Sequence, residues 1–160
     1  MSDYWMKVLR ETELQPKRPS VKDTWSSIEM KTSELEGAAL DWAVAKCEGF
    51  TNLRKNTHRF NSKWIMTPPR VEFGPVYLED YAYSTDWAHG GPIIEREMIR
   101  VAPNVSGKWT ATIKELKDDG TLSGYYKHHH GVGETSLIAA MRCNVASKLG
   151  DEVEIPEELK

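Results

Sequence analysis

Lys108-Trp109-Thr110-Ala111-Thr112-Ile113-Lys114-Glu115-Leu116, followed by Asp118-Asp119-Gly120-Thr121 and then by Ser136-Leu137-Ile138-Ala139-Ala140-Met141-Arg142-Cys143-Asn144-Val145, decides the fold. In the first run Trp109, Ala111 and Ile113 alternate with polar partners, the period of two that places apolar side chains on one face of a strand. Asp118-Asp119-Gly120-Thr121 has the composition of a tight turn, which pairs that strand with residues 122–126 as a hairpin. The second run changes period. Ile138, Met141, Val145 and Leu149 line one face of a helix, and Ala139, Ala140, Cys143 and Ala146 are small enough for close helix contact. Thr135 supplies the N-terminal cap and Gly150 the stop.

A second helix is expected over residues 34–48. Ser33-Glu34-Leu35-Glu36 has the form of a capping box, Leu35, Ala39, Trp42 and Ala45 make an apolar stripe, and Gly49 follows the last turn. Shorter elements fall between. Residues 64–66 and 71–73 are strand candidates around Pro68-Pro69, and residues 76–83 form an extended run. Pro92 suits the first turn of a short helix over residues 93–98, after which Ile99-Arg100-Val101 turns extended. The acidic end, residues 151–156, is also extended. These elements predict an α+β fold, a small, mostly antiparallel sheet with two main helices packed on one face. Residues 1–29, broken by Pro16 and Pro19, are expected to be an N-terminal arm with Trp25 anchoring its far end, and residues 30–160 a single domain.

The chain of 160 residues suffices for one core. A formal net charge of −3 argues against a bulk electrostatic grip on DNA, although it leaves room for a local basic pocket. No segment approaches membrane-spanning length, and the first residues lack the pattern of a secretory signal. Cys47 and Cys143 sit in helical apolar patterns and are expected to be reduced core residues of a cytosolic protein. Six tryptophans are more than one small core requires, so one or two are candidates for ligand stacking or partner contact.

Two connectors carry the candidate chemistry. In Asp86-Trp87-Ala88-His89-Gly90-Gly91, Trp87 offers a stacking surface and Asp86 an acceptor, while Gly90 and Gly91 permit close approach. The alternative is a core Trp with a tight turn behind it. Asp86, His89 and Glu95 also have the make-up of an acid/base group, with Ser84 a conceivable nucleophile. The second connector joins the expected hairpin to the last helix. Its Lys127, His130, Gly133, Thr135 and Ser136 suit an anion at a helix start, although a Walker ending is missing. The other reading leaves the glycines as a turn and Thr135 as a cap alone. In His128-His129-His130, neighbours on an extended segment would point to opposite faces, so that His128 and His130 could share one with His58 or His89 as a third ligand, but no ligand spacing for a metal accompanies them. Neither a metal nor any other cofactor is expected. Arg54, Lys55, His58, Arg59 and Lys63, interleaved with Phe50, Phe60 and Trp64, are the stretch most compatible with nucleic acid, against a solvated loop pinned by its aromatics.

Three blocks together resemble the NinX-like proteins of lambdoid phages and prophages. Met30-Lys31-Thr32-Ser33-Glu34-Leu35 runs into Gly37-Ala38-Ala39-Leu40-Asp41-Trp42-Ala43-Val44-Ala45. Ser84-Thr85-Asp86-Trp87 runs into Gly90-Gly91-Pro92-Ile93-Ile94-Glu95-Arg96. Leu137-Ile138-Ala139-Ala140-Met141-Arg142 runs into Val145-Ala146-Ser147-Lys148-Leu149-Gly150-Asp151. The resemblance implies a phage accessory protein in the cytoplasm of the bacterial host and brings no enzyme activity with it. By analogy with other small phage proteins, the expected function is sequestration of a small nucleotide-like ligand, an immune signal of the host, by a homo-oligomer. The alternatives are a recombination or replication accessory that binds DNA or a DNA-processing protein, and a hydrolase of a nucleotide signal.

Overall fold

The computed structural model describes residues 25–56, 63–70, 74–116 and 126–160. Among these residues, eight strands form three small antiparallel sheets, and three α-helices pack with them in an α+β arrangement. β1 (Ser27–Lys31) pairs with β8 (Glu152–Pro156), from Ser27 opposite Pro156 to Lys31 opposite Glu152. β2 (Thr51–Lys55), β3 (Trp64–Thr67) and β4 (Val76–Tyr77) make the second sheet. β5 (Arg100–Pro103), β6 (Trp109–Leu116) and β7 (Tyr126–Gly133) make the third. The helices are α1 (Gly37–Cys47), α2 (Trp87–Arg96) and α3 (Ser136–Lys148).

α3 is the hub. It lies across β5, β6 and β7 and also touches α1 and α2. Ala139, Ala140, Met141, Cys143 and Val145 on it are fully buried. The small-residue face is therefore used inside the chain. The reason lies in β7, whose Gly131 and Gly133 face the helix without side chains. A Cβ on Gly131 would run into the Ala139 carbonyl and the Cys143 amide, and one on Gly133 would sit 2.6 Å from the Ala139 amide. Strand and helix backbones are thus in direct contact, which only glycine permits.

Four boundaries differ from expectation. The expected connector from Lys127 to Gly133 is strand β7, which pairs with β6 from Trp109 opposite Gly133 to Leu116 opposite Tyr126. The expected turn at residues 118–121 and most of the strand at 122–126 lie outside the described residues, as do residues 1–24 of the arm and the strand candidate at 71–73. The capping box at Ser33 does not form. Residues Thr32–Glu34 make a 3-10 turn, Glu36 is an extended N-cap without a side-chain capping bond, and α1 starts at Gly37 with φ +49°. Glu36 instead meets the guanidinium of Arg142, whose Nη2 donates to Glu36 Oε1 at 3.1 Å. The single expected sheet is divided into three, because β1, which begins within the expected arm, pairs with the distant β8, and β2, with Leu53 its one buried residue, pairs with β3. The helix expected at residues 93–98 is longer and starts earlier, so Pro92 lies inside it.

Trp25 packs edge-on against Trp64 at 5.3 Å and joins the core at the end of the described N-terminal segment. Both cysteines are free, and burial pushes the Cys143 thiol up to about 11 and the Cys47 thiol up to about 12. No helix among the described residues is long and apolar enough to cross a membrane.

Candidate functional site

The first candidate connector is a helix start. Asp86 caps α2, its Oδ1 accepting the Ala88 amide at 2.9 Å while its carbonyl accepts the amides of His89 and Gly90. Trp87 is the first residue of the helix and stays 58% exposed, so it is not a core tryptophan. Gly91 lies alongside the indole, where a Cβ would be 3.6 Å from Trp87 Cε3. Gly90 is buried, and a Cβ there would be 2.7 Å from Leu137 Cδ2. That contact sets the start of α2 against the start of α3, where Thr135 caps the helix by accepting the Ile138 amide at 3.2 Å. Gly90 therefore lies against the α3 start that carries Thr135 and Ser136, and Asp86, Trp87, His89 and Gly91 lie within about one turn of Gly90 on α2.

Lys127 is not part of that group. It precedes Gly133 by six positions on one continuous strand, about 20 Å away at the rise of extended backbone. Gly133 is committed to packing under α3. His130 is exposed on the far side of β7.

His89 sits in a partly buried polar cluster. Its Nδ1 lies 3.5 Å from Asp86 Oδ2, and its ring lies against Tyr81 at 5.5 Å and Tyr83 at 6.1 Å. Glu95, on the same helix but exposed and further along, is not in this cluster. Ser84 is 1% exposed, which leaves its hydroxyl no route to a substrate as a nucleophile. Asp41 from α1 completes the cluster, with Oδ1 accepting the Ser84 amide at 2.7 Å. Burial holds the Asp41 carboxyl above the usual carboxylate range, offset in part by hydrogen bonds from Ser84 and the charge of His89. The sequence reading missed Asp41. Its signal was a single charge inside the apolar run Ala39-Leu40-Asp41-Trp42-Ala43.

The outer face of the β5–β6–β7 sheet carries the second concentration of chemistry. Register places Arg100, Thr112 and His130 in one row across the sheet and Ala102, Thr110 and Val132 in the next, with Lys114 beside His128. As strand alternation predicts, His128 and His130 share this face, and their rings stack at 6.2 Å with planes 12° apart. His129 points to the other face, buried, with Nε2 3.2 Å from Glu115 Oε2. A concavity of about 510 Å³ opens here, lined by Arg100, Lys114, His128, Thr110 and Thr112 together with Glu97, Met98 and Ala102.

Among the described residues Arg100 and Lys114 have no ion-pair partner. Glu97 is already held by Lys148 at 2.8 Å and by Arg96 at 3.0 Å, and the Lys148 hydrogen bond leads in drawing its carboxyl below the usual range. Among the described residues the lining therefore carries more positive than negative charge. A neighbouring cleft of about 600 Å³ beyond β7 is mixed in sign, with Lys31 and Arg142 against Asp151 and Glu152. Among the described residues no three His, Cys, Asp or Glu side chains converge on a metal position.

The described part of the basic stretch is dispersed. Arg54 is exposed on β2, Lys55 pairs with Glu158, and Lys63 lies 5.2 Å from the Tyr77 ring. Phe50 packs on Tyr81 and Trp64 is buried, so these aromatics belong to the core. His58, Arg59 and Phe60 lie outside the described residues.

No curated protein matches the chain. The family model described as Bacteriophage P22, NinX matches residues 31–148, a span from the last residue of β1 to the end of α3 that includes the α2 start, the polar cluster and the cationic sheet face. The chain belongs to the phage NinX family.

Proposed function

We propose that this phage protein captures a small nucleotide-like anion on the outer face of the β5–β6–β7 sheet and holds it without turnover, in the host cytoplasm, to blunt anti-phage defence. The observation that carries the reading is the concavity where, among the described residues, Arg100 and Lys114 have no ion-pair partner beside Thr110, Thr112 and His128. A guanidinium fork, an ammonium and hydroxyls are the groups that hold phosphate oxygens. His128 stacks on His130 instead of being oriented by a carboxylate, which favours holding over general-base chemistry. The defence role rests on the phage family and on analogy with other small phage proteins.

Trp87 begins α2 whereas Glu97, just past its end, lines the concavity. At about 15 Å along the helix axis, the indole is out of reach of a small ligand held by Arg100 and Lys114. Within this proposal the exposed Trp87, with Asp86 and Gly91 beside it, serves the contact between copies in a homo-oligomer, since an indole in that setting suits an interface anchor.

Calorimetric titration with linear and cyclic mononucleotides and dinucleotides tests the reading. At least one is expected to bind, with affinity reduced at least tenfold in Arg100→Ala/Lys114→Ala. Silence across the panel would overturn it. Arg100 and Lys114 also favour a second reading, contact with the backbone of single-stranded DNA. That reading predicts tighter binding to an oligonucleotide than to any nucleotide, falling steeply with salt.

A further inference from the structure

The donors at the sheet concavity exceed what a bridging phosphate can use. Arg100 brings a planar fork, Lys114 an ammonium, Thr110 and Thr112 hydroxyls, and His128 a ring nitrogen, all on one face. A phosphodiester leaves only its two non-bridging oxygens for such donors and carries a single negative charge. A terminal phosphate presents three strong acceptor oxygens and approaches two charges near neutral pH.

The stacked histidines supply the second observation. Imidazole takes up a proton near neutral pH, and two parallel rings at 6.2 Å repel when both are charged. An anion placed against them relieves that repulsion. The charges facing the pair come from every neighbouring element. Arg100 lies on β5 and Lys114 on β6, and Glu97 follows α2 with its charge already shared by Lys148 and Arg96. On the His130 side stand Lys31, Arg142, Asp151 and Glu152, of both signs. Glu115 belongs to His129 on the opposite face, and Lys127 lies opposite Glu115 in the register. The cationic side of the pair is therefore the concavity.

We infer that this site takes a terminal phosphate, a phosphomonoester bound as its dianion, and that binding draws one proton from solvent onto a ring nitrogen of the His128–His130 pair. The inference rests on the nucleotide-capture reading and names the group recognised. Methyl phosphate and dimethyl phosphate test it independently of any base, titrated into the full chain between pH 6.5 and 8.5 and followed on the histidine ring resonances. Methyl phosphate is expected to bind, with affinity falling about tenfold from the lower pH to the higher. Dimethyl phosphate is expected to bind at least tenfold more weakly and without pH dependence. His128→Gln/His130→Gln, at two exposed positions, is expected to flatten the pH dependence of methyl phosphate binding.

Methyl phosphate binding that ignores pH, or equal binding of the two esters, would overturn the inference and leave nucleotide capture standing. Silence of both esters while a nucleotide binds would also overturn it alone. Silence of both esters and of the whole nucleotide panel would remove the inference together with the reading beneath it.

Discussion

Arg142 shows how one residue ties the fold together. Its side chain is nine-tenths buried, and its guanidinium donates to the Leu35 carbonyl at 2.9 Å, the Val132 carbonyl at 2.7 Å and Glu36 at 3.1 Å. It thus joins α3 to β7 and to the segment before α1. Arg142→Met keeps the stem but strips two carbonyls of a charged donor. The expected cost is about 3 kcal/mol in urea denaturation, whereas Lys114→Ala on the exposed sheet face is expected to change stability little. Asp41 carries a different signature. Its folded-state pKa is raised, so between the unfolded value and the folded one the native state binds more protons than the unfolded chain. The Asp41 contribution to stability is therefore greatest at acid pH and is lost as pH rises through the folded pKa. Asp41→Asn retains an acceptor for the Ser84 amide. Wild-type stability relative to this variant should rise as the pH of the urea melts is lowered from 7 towards 4, and a difference that does not change with pH would contradict the burial argument.

At the scale of elements, the contact of α3 with β7 is the most demanding feature. A methyl group at Gly131 meets helix backbone, which cannot yield as a flexible side chain does. Gly131→Ala is expected to cost about 3 kcal/mol in denaturant unfolding, while His130→Ala, next to it but facing solvent, stays near wild type. The same contact explains what was legible. β6 and α3 announced themselves by period, because Trp109, Ala111 and Ile113 alternate and Ile138, Met141 and Val145 follow helical spacing. β7 did not, because Lys127-His128-His129-His130-Gly131-Val132-Gly133 has no apolar alternation and only Val132 has high strand propensity, and its place is set by the helix above it. Ser33 to Glu36 failed the other way. The local capping signal was present, but Glu36 is engaged by Arg142 from a distant part of the chain. The Thr135 cap was readable because it depends on local geometry alone, whereas the Asp86 cap was missed because Pro92 pointed to a later helix start.

Across the whole molecule, the candidate contacts divide between two places. The α2 start gathers Asp86, Trp87, His89, Gly90 and Gly91, with Gly90 against the α3 start that carries Thr135 and Ser136, and the sheet face gathers Arg100 and Lys114, without ion-pair partners among the described residues. Sequence spacing singled out residues 86–91 on one connector and Thr135 and Ser136 on another. It missed Arg100, Lys114 and Thr112 because only the pairing of β5 with β6 and of β6 with β7 brings them into register with the histidines. The concavity lined by Arg100 and Lys114 is the feature on which the account depends, and it is best tested on protein that has met its ligand in the cell. Native mass spectrometry of wild type and of Arg100→Ala/Lys114→Ala, each purified from phage-challenged host cells, is that measurement. The account predicts a phosphate-bearing small molecule bound to wild type in stoichiometric amount and absent from the variant. Wild type that carries no such molecule, or a variant that retains it at equal occupancy, would contradict capture on this sheet face.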